Sequence, residues 1–488
     1  MMRPDSTQIE ELAKKYTVIP VCKEIYADVT TPILLLKKMA AASDRFFLLE
    51  SVEGGEKWGR YSFLGFDPSI RVSCRQKVVT VERDGKNETL ESADPLSVVR
   101  GLLKEYQSPR LPGLPPFTGG FVGYFGYAMI GYAEPVLNIS PDGNNDMDLC
   151  LYDKVIAFDH LRQKIILIAN MKTDNVLENY GRAVGEITKL EEMIKRQAVF
   201  PGKKKPGHDD VEFTCSVTKE EYCKLIEKTR EYIYNGDIFQ AVIARRFTAK
   251  VEGSLINAYR VLRTTNPSPY MVYLHIDGDE IMSTSPETLI RLENGRLTTF
   301  PVAGSRPRGK DEAEDEALEK ELLADEKELS EHNMLVDLGR NDLGKICNFG
   351  SIEVTRYKMI HKYSKIMHIC SQVEGDIRED KDALDAIASL LPAGTLSGAP
   401  KIRACEIIEE LENFPRGVYG GALGYVDLTG NMDTCIAIRM AVKRGDTVYV
   451  TAGGGIVADS DPEKEYEESG NKAFAAMNSV INASAVEE

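Results

Sequence analysis

Two pairs of glutamates carry the first chemical signal in this chain. Glu328 and Glu331 lie in Asp325-Glu-Lys-Glu-Leu-Ser-Glu-His-Asn-Met, and Glu465 and Glu468 lie in Asp461-Pro-Glu-Lys-Glu-Tyr-Glu-Glu-Ser. On a helix, a spacing of three puts both carboxylates of a pair on one face. Carboxylates without a thiolate or imidazole cage suit a hard cation such as Mg²⁺. That ion takes one or two protein carboxylates and leaves its other positions to water and an anionic substrate. Spacing alone also describes a solvated acidic helix face. The surroundings separate the two readings, because each pair follows a glycine-containing strand end. Pro301-Val-Ala-Gly-Ser-Arg-Pro-Arg-Gly leads toward the first pair, and Thr451-Ala-Gly-Gly-Gly-Ile leads into the second. Consecutive glycines let a backbone approach a ligand closely or turn sharply. A third segment, Gly394-Thr-Leu-Ser-Gly-Ala-Pro-Lys401, fails as a Walker loop, since Pro400 precedes the lysine and Ile402 replaces the needed hydroxyl. Standing before a predicted helix, it reads either as an anion cradle or as a capping turn.

The elements that must position these residues read as an α+β chain, with mainly antiparallel sheets covered by helices. Helices are expected over 31–43, 174–197, 312–337, 382–391 and 401–412, and a last one from Pro462. Thr218-Lys-Glu-Glu is a capping box opening another. Asp277-Gly278 and Asn294-Gly295 each join two strand-like runs into a hairpin. Further strands are expected at 420–427, 434–443 and 447–452. Gly119-Gly-Phe-Val-Gly-Tyr-Phe-Gly-Tyr lacks dinucleotide-loop spacing and reads as a strand whose glycines permit close packing. Lysine, proline and glycine cluster after Phe200, which divides the chain into an N-terminal domain (1–200), a linker (201–212) and a second domain (213–488).

With 488 residues, more than one core is expected. A net charge of −16 argues against nucleic acid or an anionic membrane as partner. The apolar run Pro32-Ile-Leu-Leu-Leu is cut short by Lys37 and Lys38, so neither a signal peptide nor a membrane span is expected. Nine scattered cysteines without a C-x-x-C pair fit reduced thiols in the cytoplasm. Cys405 and Cys435 are expected in the core.

Taken in order, several segments resemble the chorismate-utilising enzymes, and among them the large-subunit (component I) branch of the anthranilate synthases. They are Gly236-Asp-Ile-Phe-Gln, Asn266-Pro-Ser-Pro-Tyr-Met, Thr284-Ser-Pro-Glu, the 301–309 segment, Glu331-His-Asn-Met-Leu-Val-Asp-Leu-Gly-Arg-Asn-Asp, the 394–401 segment, Tyr419-Gly-Gly-Ala-Leu-Gly-Tyr and Ala452-Gly-Gly-Gly. Leu49-Glu-Ser extends the match into the N-terminal domain. The resemblance implies the family's two-sheet fold with an intertwined N-terminal domain. It implies Glu331 and Glu468 as direct Mg²⁺ carboxylates, supported by Glu328 and Glu465. Gly304, Ser305, Thr395, Tyr419, Arg439, Gly453, Gly454, Gly455 and Lys472 match positions that contact chorismate, with Ser305 in place of the family threonine. Glu287 matches the general acid for loss of the C4 hydroxyl, and His368 an active-site histidine. Without the resemblance, Glu287, His368 and Lys472 read as a strand-end acid, a core histidine and a surface lysine.

The branch is also implied by resemblance. Isochorismate and salicylate synthases carry a lysine base where this chain has Gln240, which takes no proton at neutral pH. Many aminodeoxychorismate synthases carry a lysine nucleophile where this chain has Ala303. The nucleophile is then ammonia, delivered by a separate glutamine amidotransferase subunit, because no cysteine here sits in a Gly-x-Cys-x-Gly turn. The implied products are anthranilate and pyruvate, and the implied assembly is two large and two small subunits. Formation of 4-amino-4-deoxychorismate is the alternative activity, and an inactive amino-acid sensor is the alternative class. Glu50, Ser51, Pro269, Tyr270 and Met271 match a feedback site for L-tryptophan, or else form an ordinary interdomain contact.

Overall fold

The computed structural model describes residues 2–51, 59–141, 143–196, 211–362 and 366–486. Among them two antiparallel sheets form, of thirteen and twelve strands, with helices on their outer faces. Both sheets are built from early and late chain together. In the first, Arg45–Glu50 pairs with Tyr270–Ile276. In the second, Gly120–Phe125 pairs with Ala422–Asp427. Most of the linker expected at 201–212 lies outside the described residues, and strands from either side of it share both sheets.

Strand alternation explains the two main cores. Phe47 and Leu49 point into the apolar layer between the sheets, alongside Val122 and Leu149. Phe46 and Leu48, on the opposite face, meet helix residues such as Leu35, Ile187, Tyr259 and Ala473. Buried on both faces, such a strand reads in sequence as a continuous apolar run. The glycine-aromatic segment forms Gly120–Phe125, buried throughout. A methyl group on Gly123 would lie 2.0 Å from the Asp148 carbonyl oxygen, so only glycine admits the neighbouring strand. Thr218 and Glu221 make the expected capping box. Asn294 and Gly295 both take positive φ in the tight hairpin joining Thr288–Glu293 to Arg296–Thr299. Cys405 and Cys435 are buried.

Four strands and two helices carry the glutamate pairs and the residues that support them. They are β1 (Gln240–Lys250), β2 (Val302–Pro307), α1 (Glu326–Gly344), β3 (Ile366–Asp376), β4 (Thr447–Ile456) and α2 (Pro462–Ile481). Two expectations differ in detail. The helix expected over 312–337 is two helices, Glu312–Ala324 and α1, because Asp325 is extended and its side chain caps α1. The strand expected over 434–443 is also two, Met432–Ile436 in the second sheet and Met440–Arg444 in the first, and the chain crosses between sheets at residues 437–439. Sequence patterning did not single out β3 or its partner Glu353–Lys362. That partner strand is exposed or half-exposed along its length, so it lacks an apolar alternation. Among the described residues no helix is long and apolar enough to cross a membrane.

Candidate active site

Each acidic helix begins at an aspartate that accepts hydrogen bonds from the first-turn N–H groups. Asp325 receives Lys327 and Glu328 at 3.1 and 3.2 Å, and Asp461 receives Glu463 and Lys464 at 3.0 and 3.1 Å. These caps orient the glutamate pairs. Glycine strand ends pass directly beneath them. A methyl group on Gly304 of β2 would lie 3.1 Å from Glu328 Oε2, and one on Gly454 of β4 would lie 2.8 Å from Glu465 Oε2. The two helices thus present their carboxylates toward a common space. Glu331 is pushed above the usual carboxylate range by burial and by Glu328, with Glu468 adding to the rise from the other helix. Glu465 is pushed up by burial and by Glu468, although Ser460 Oγ donates to it at 2.8 Å and opposes the rise. Lys472 Nζ reaches Glu468 Oε1 at 2.7 Å and the Gly453 carbonyl at 3.2 Å.

The donor set is carboxylate and carbonyl oxygen, which suits a hard divalent cation and offers nothing to a soft one. Such a cation would relieve the repulsion that Glu328 and Glu468 exert on Glu331 and that Glu468 exerts on Glu465. Among the described residues no three acidic, imidazole or thiolate groups already stand close enough to clasp an ion by themselves. Mg²⁺ tolerates that, because it fills several positions with water and substrate oxygens.

α2 is fixed from below by Arg245 of β1. This buried guanidinium donates to the Tyr466 carbonyl at 2.6 Å and to Ser469 Oγ at 3.0 Å, and lies 3.8 Å from the Tyr466 ring centre. Sequence reading did not identify Arg245, since an arginine inside an apolar strand carries no motif of its own.

A second group lies alongside. Thr395 Oγ1 donates to Glu287 Oε2 at 3.0 Å. Burial raises the Glu287 carboxyl above its ordinary range, and Thr395, Lys472 and Arg439 pull in the opposite direction. Arg439 adopts a φ of 49°, a left-handed conformation that a long side chain occupies only where its surroundings enforce it. Burial lowers its pKa, opposed by Glu287, Tyr419 and Glu468, which places the guanidinium among those three. Tyr419 is buried and its hydroxyl is held protonated by that burial. His368 on β3 faces the Gly304 carbonyl through Nδ1 at 3.0 Å, so Nδ1 carries the hydrogen in the neutral ring and the lone pair lies on Nε2. Burial lowers the pKa of this imidazole and keeps it neutral at pH 7.

Gly453, Gly454 and Gly455 lie opposite Ala244, Ile243 and Val242 in the β4–β1 ladder. A methyl group on Gly455 would lie 2.5 Å from Gln240 Nε2. Gln240 is buried, and its Oε1 has no hydrogen-bond partner among the described residues. Ser305 lies opposite His368 in the β2–β3 ladder and is exposed. Lys401 does not project from a cradle: it is tied to Asp342 at 2.9 Å and to the Leu390 carbonyl at 3.0 Å.

Away from this centre, a cavity of about 530 Å³ opens between the sheets, with Glu50, Ser51, Pro269, Tyr270 and Met271 in its wall. Strand alternation divides that set. Glu50 and Met271 are cross-strand partners and turn toward the helix-side core. There the Glu50 carboxylate accepts from Arg263 at 3.0 and 3.1 Å and from Tyr259 at 3.0 Å. Tyr270 donates to Asp433 at 2.7 Å, and Asp433 is gripped by Arg291 at 2.5 and 3.0 Å. Arg291 and Asp433 line the cavity, and only their distance in sequence hid them.

Comparison with known proteins agrees with this architecture. The profile described as chorismate binding enzyme matches residues 45–478. Anthranilate synthase component 1 of Acetivibrio thermocellus is 45% identical over 99% of both chains. That of Aquifex aeolicus (strain VF5) is 44% identical over 97% of both. The crystal structure of anthranilate synthase component I from Streptococcus pneumoniae TIGR4 superposes with a TM-score of 0.77, at 35% identity, covering 93% of this chain and 98% of that one. The menaquinone-specific isochorismate synthase of Escherichia coli shares the fold with a TM-score of 0.69 at 18% identity, covering 97% of this chain and 98% of that one. On the strength of a profile match spanning both sheets and of relatives aligned end to end, this chain belongs to the chorismate binding enzyme family.

Proposed function

We propose that this chain converts chorismate and ammonia to anthranilate, pyruvate and water, a lyase reaction that opens tryptophan biosynthesis. The observation that supports it most is the convergence of both glutamate pairs, Glu287 and Arg439 on one centre, in a chain whose full-length relatives are named anthranilate synthase component 1. Glu331 and Glu468 would hold Mg²⁺, with Glu328 and Glu465 behind them, and the bound ion would supply positive charge against the ring carboxylate of chorismate. Arg439 pairs with the carboxylate of the enolpyruvyl arm, where a planar guanidinium binds both oxygens. Glu287, whose carboxyl burial holds above its ordinary range, gives its proton to the departing C4 hydroxyl as ammonia adds at C2. Loss of the C2 proton and of the enolpyruvyl arm as pyruvate then restores the aromatic ring. Tyr419, Thr395, Ser305 and the 453–455 backbone orient the substrate, and neutral His368 and Lys472 line the same site. Gln240 offers no base to activate water, which leaves ammonia as the nucleophile.

The designation component 1 of the relatives supports a partner, which we take to be a glutamine amidotransferase subunit in a two-plus-two assembly in the cytoplasm. The cavity beside Ser51 and Tyr270 would receive L-tryptophan as feedback inhibitor. The test incubates the purified chain with chorismate, ammonium and Mg²⁺ at alkaline pH. Fluorescent anthranilate with matching pyruvate supports the reading. An aminated ring that keeps its enolpyruvyl arm would replace it with 4-amino-4-deoxychorismate formation.

A further inference from the structure

The two acidic helices are anchored differently. α2 is held by buried Arg245 in an aromatic cage, a contact with no acidic partner among the described residues. The start of α1 is met by one guanidinium at the rim of the site. Arg306 of β2 donates through Nε to Glu321 at 2.9 Å, on the helix before α1. Its Nη2 donates to Asp325 Oδ2 at 2.9 Å, at the joint between the two helices. Its Nη1 donates to the Ser305 carbonyl at 2.9 Å and stands 3.6 Å from Glu328 Oε1, on the first turn of α1. Asp325 divides its carboxylate, with Oδ1 capping α1 and Oδ2 meeting Arg306. Arg306 lies opposite Met367 in the β2–β3 ladder, one position from the Ser305–His368 pair. One side chain therefore bonds both sides of an interhelix break and the strand that carries the His368 partner Gly304.

We infer that Arg306 is a positioning residue, which sets the angle at which α1 presents Glu328 and Glu331 toward Glu465 and Glu468 and thereby sets the affinity of the site for a divalent cation. The geometry favours this over simple surface pairing. An exposed ion pair joins two mobile side chains and contributes little. Arg306 is only 19% exposed and uses a fixed fork of donors on three acceptors whose relative placement defines the helix start. With the fork removed, Asp325 keeps its capping bonds, so α1 persists as a helix while its link to β2 loosens. Glu331 lies about one and two-thirds turns along α1 from Asp325, so a small swing at the joint moves its carboxylate by a distance that matters to an octahedral ion.

This inference rests on the Mg²⁺ reading of the site, and the experiment separates the two. Mg²⁺ alone is titrated into the full chain by calorimetry, for the wild type, Arg306→Gln, Arg306→Lys, Asp325→Asn and the double variant Arg306→Gln with Asp325→Asn. The expected result is a tenfold or greater loss of Mg²⁺ affinity in Arg306→Gln and a smaller loss in Arg306→Lys, which keeps the charge but not the fork. The double variant should be no worse than the sum of its parts would require, because both act at one joint. In turnover the defect should appear as a higher Mg²⁺ concentration for half-maximal rate, largely recovered at saturation. Arg306→Lys carries the test if the glutamine variant fails to fold. Wild-type Mg²⁺ affinity in folded Arg306→Gln and Arg306→Lys would overturn the inference while leaving the metal reading intact. A fallen rate at saturating Mg²⁺ with unchanged Mg²⁺ dependence would do the same. A wild-type chain that binds no Mg²⁺ either alone or with chorismate present would overturn both.

Discussion

Thr395 donates its hydroxyl hydrogen to Glu287 Oε2 at 3.0 Å, so the proposed general acid is held by a residue more than a hundred positions away in the chain. That bond favours the carboxylate, whereas burial favours the neutral acid, and burial prevails. Glu287→Gln should cut turnover by ~10²–10⁴-fold, the range for a lost general acid. Its stability effect has a definite sign. A carboxyl whose native pKa is raised destabilises the fold once pH exceeds its unfolded value, and the penalty is complete above the native value. Glu287→Gln should therefore melt higher than wild type at neutral pH, and the difference should vanish below about pH 4. Thermal denaturation across pH checks this.

Replacing Thr395 by valine removes the bond that lowers the Glu287 pKa. The acid then stays protonated to higher pH, so the basic limb of the rate profile should move upward. A limb that moves downward or stays in place would remove Glu287 from the role of acid.

Glu468 reaches Lys472 at 2.7 Å, but the glutamate is exposed and the lysine half-buried, so their ion pair contributes little. Glu468→Gln should leave the melting temperature close to that of the wild type and abolish turnover. Near-normal rates at saturating Mg²⁺ would reject its assignment as a metal ligand.

For the cavity between the sheets, Ser51→Ala should raise the tryptophan concentration needed for half-inhibition by tenfold or more. An inhibition curve that overlies the wild type would assign the cavity to packing. Glu50→Gln should act differently, by loosening its Arg263 and Tyr259 bonds and so lowering stability.

Arg416 and Glu412 form an ion pair in which each side chain is 2% exposed, and the Glu412 carboxylate also accepts from the Ala244 N–H at 2.8 Å. Arg416 spans the Leu396 and Val242 carbonyls, joining the Thr395 segment to β1. Glu412→Ala strands a buried cation and should cost about 3–5 kcal/mol, read from urea unfolding.

Local chemistry made much of this legible in sequence. The Thr218 box, the Asn294-Gly295 hairpin and the glycine-rich strand through Gly123 each depend on residues that are adjacent in the chain. The acid pairs were legible as pairs because helical spacing is local. Their approach to each other followed from the family resemblance alone, since it depends on Gly304 and Gly454 admitting side chains from distant helices. The break at Asp325 was hidden because acidic residues continue the helical composition through it. The passage at 437–439 was hidden because apolar residues on both sides suit either sheet. Arg291, Asp433 and Arg245 have roles set by partners far along the chain, which no window of sequence contains.

The pairing of Arg45–Glu50 with Tyr270–Ile276 has a consequence for biogenesis. At ~5–20 residues per second, the earlier strand leaves the ribosome on the order of ten to forty seconds before its neighbour exists. During that interval a strand that is apolar on both faces has an open edge, which is a template for pairing with other chains. Nascent polypeptides stalled or truncated near residue 200 should accumulate as aggregates, and expressing the two halves as separate genes should yield soluble protein only when both are made together.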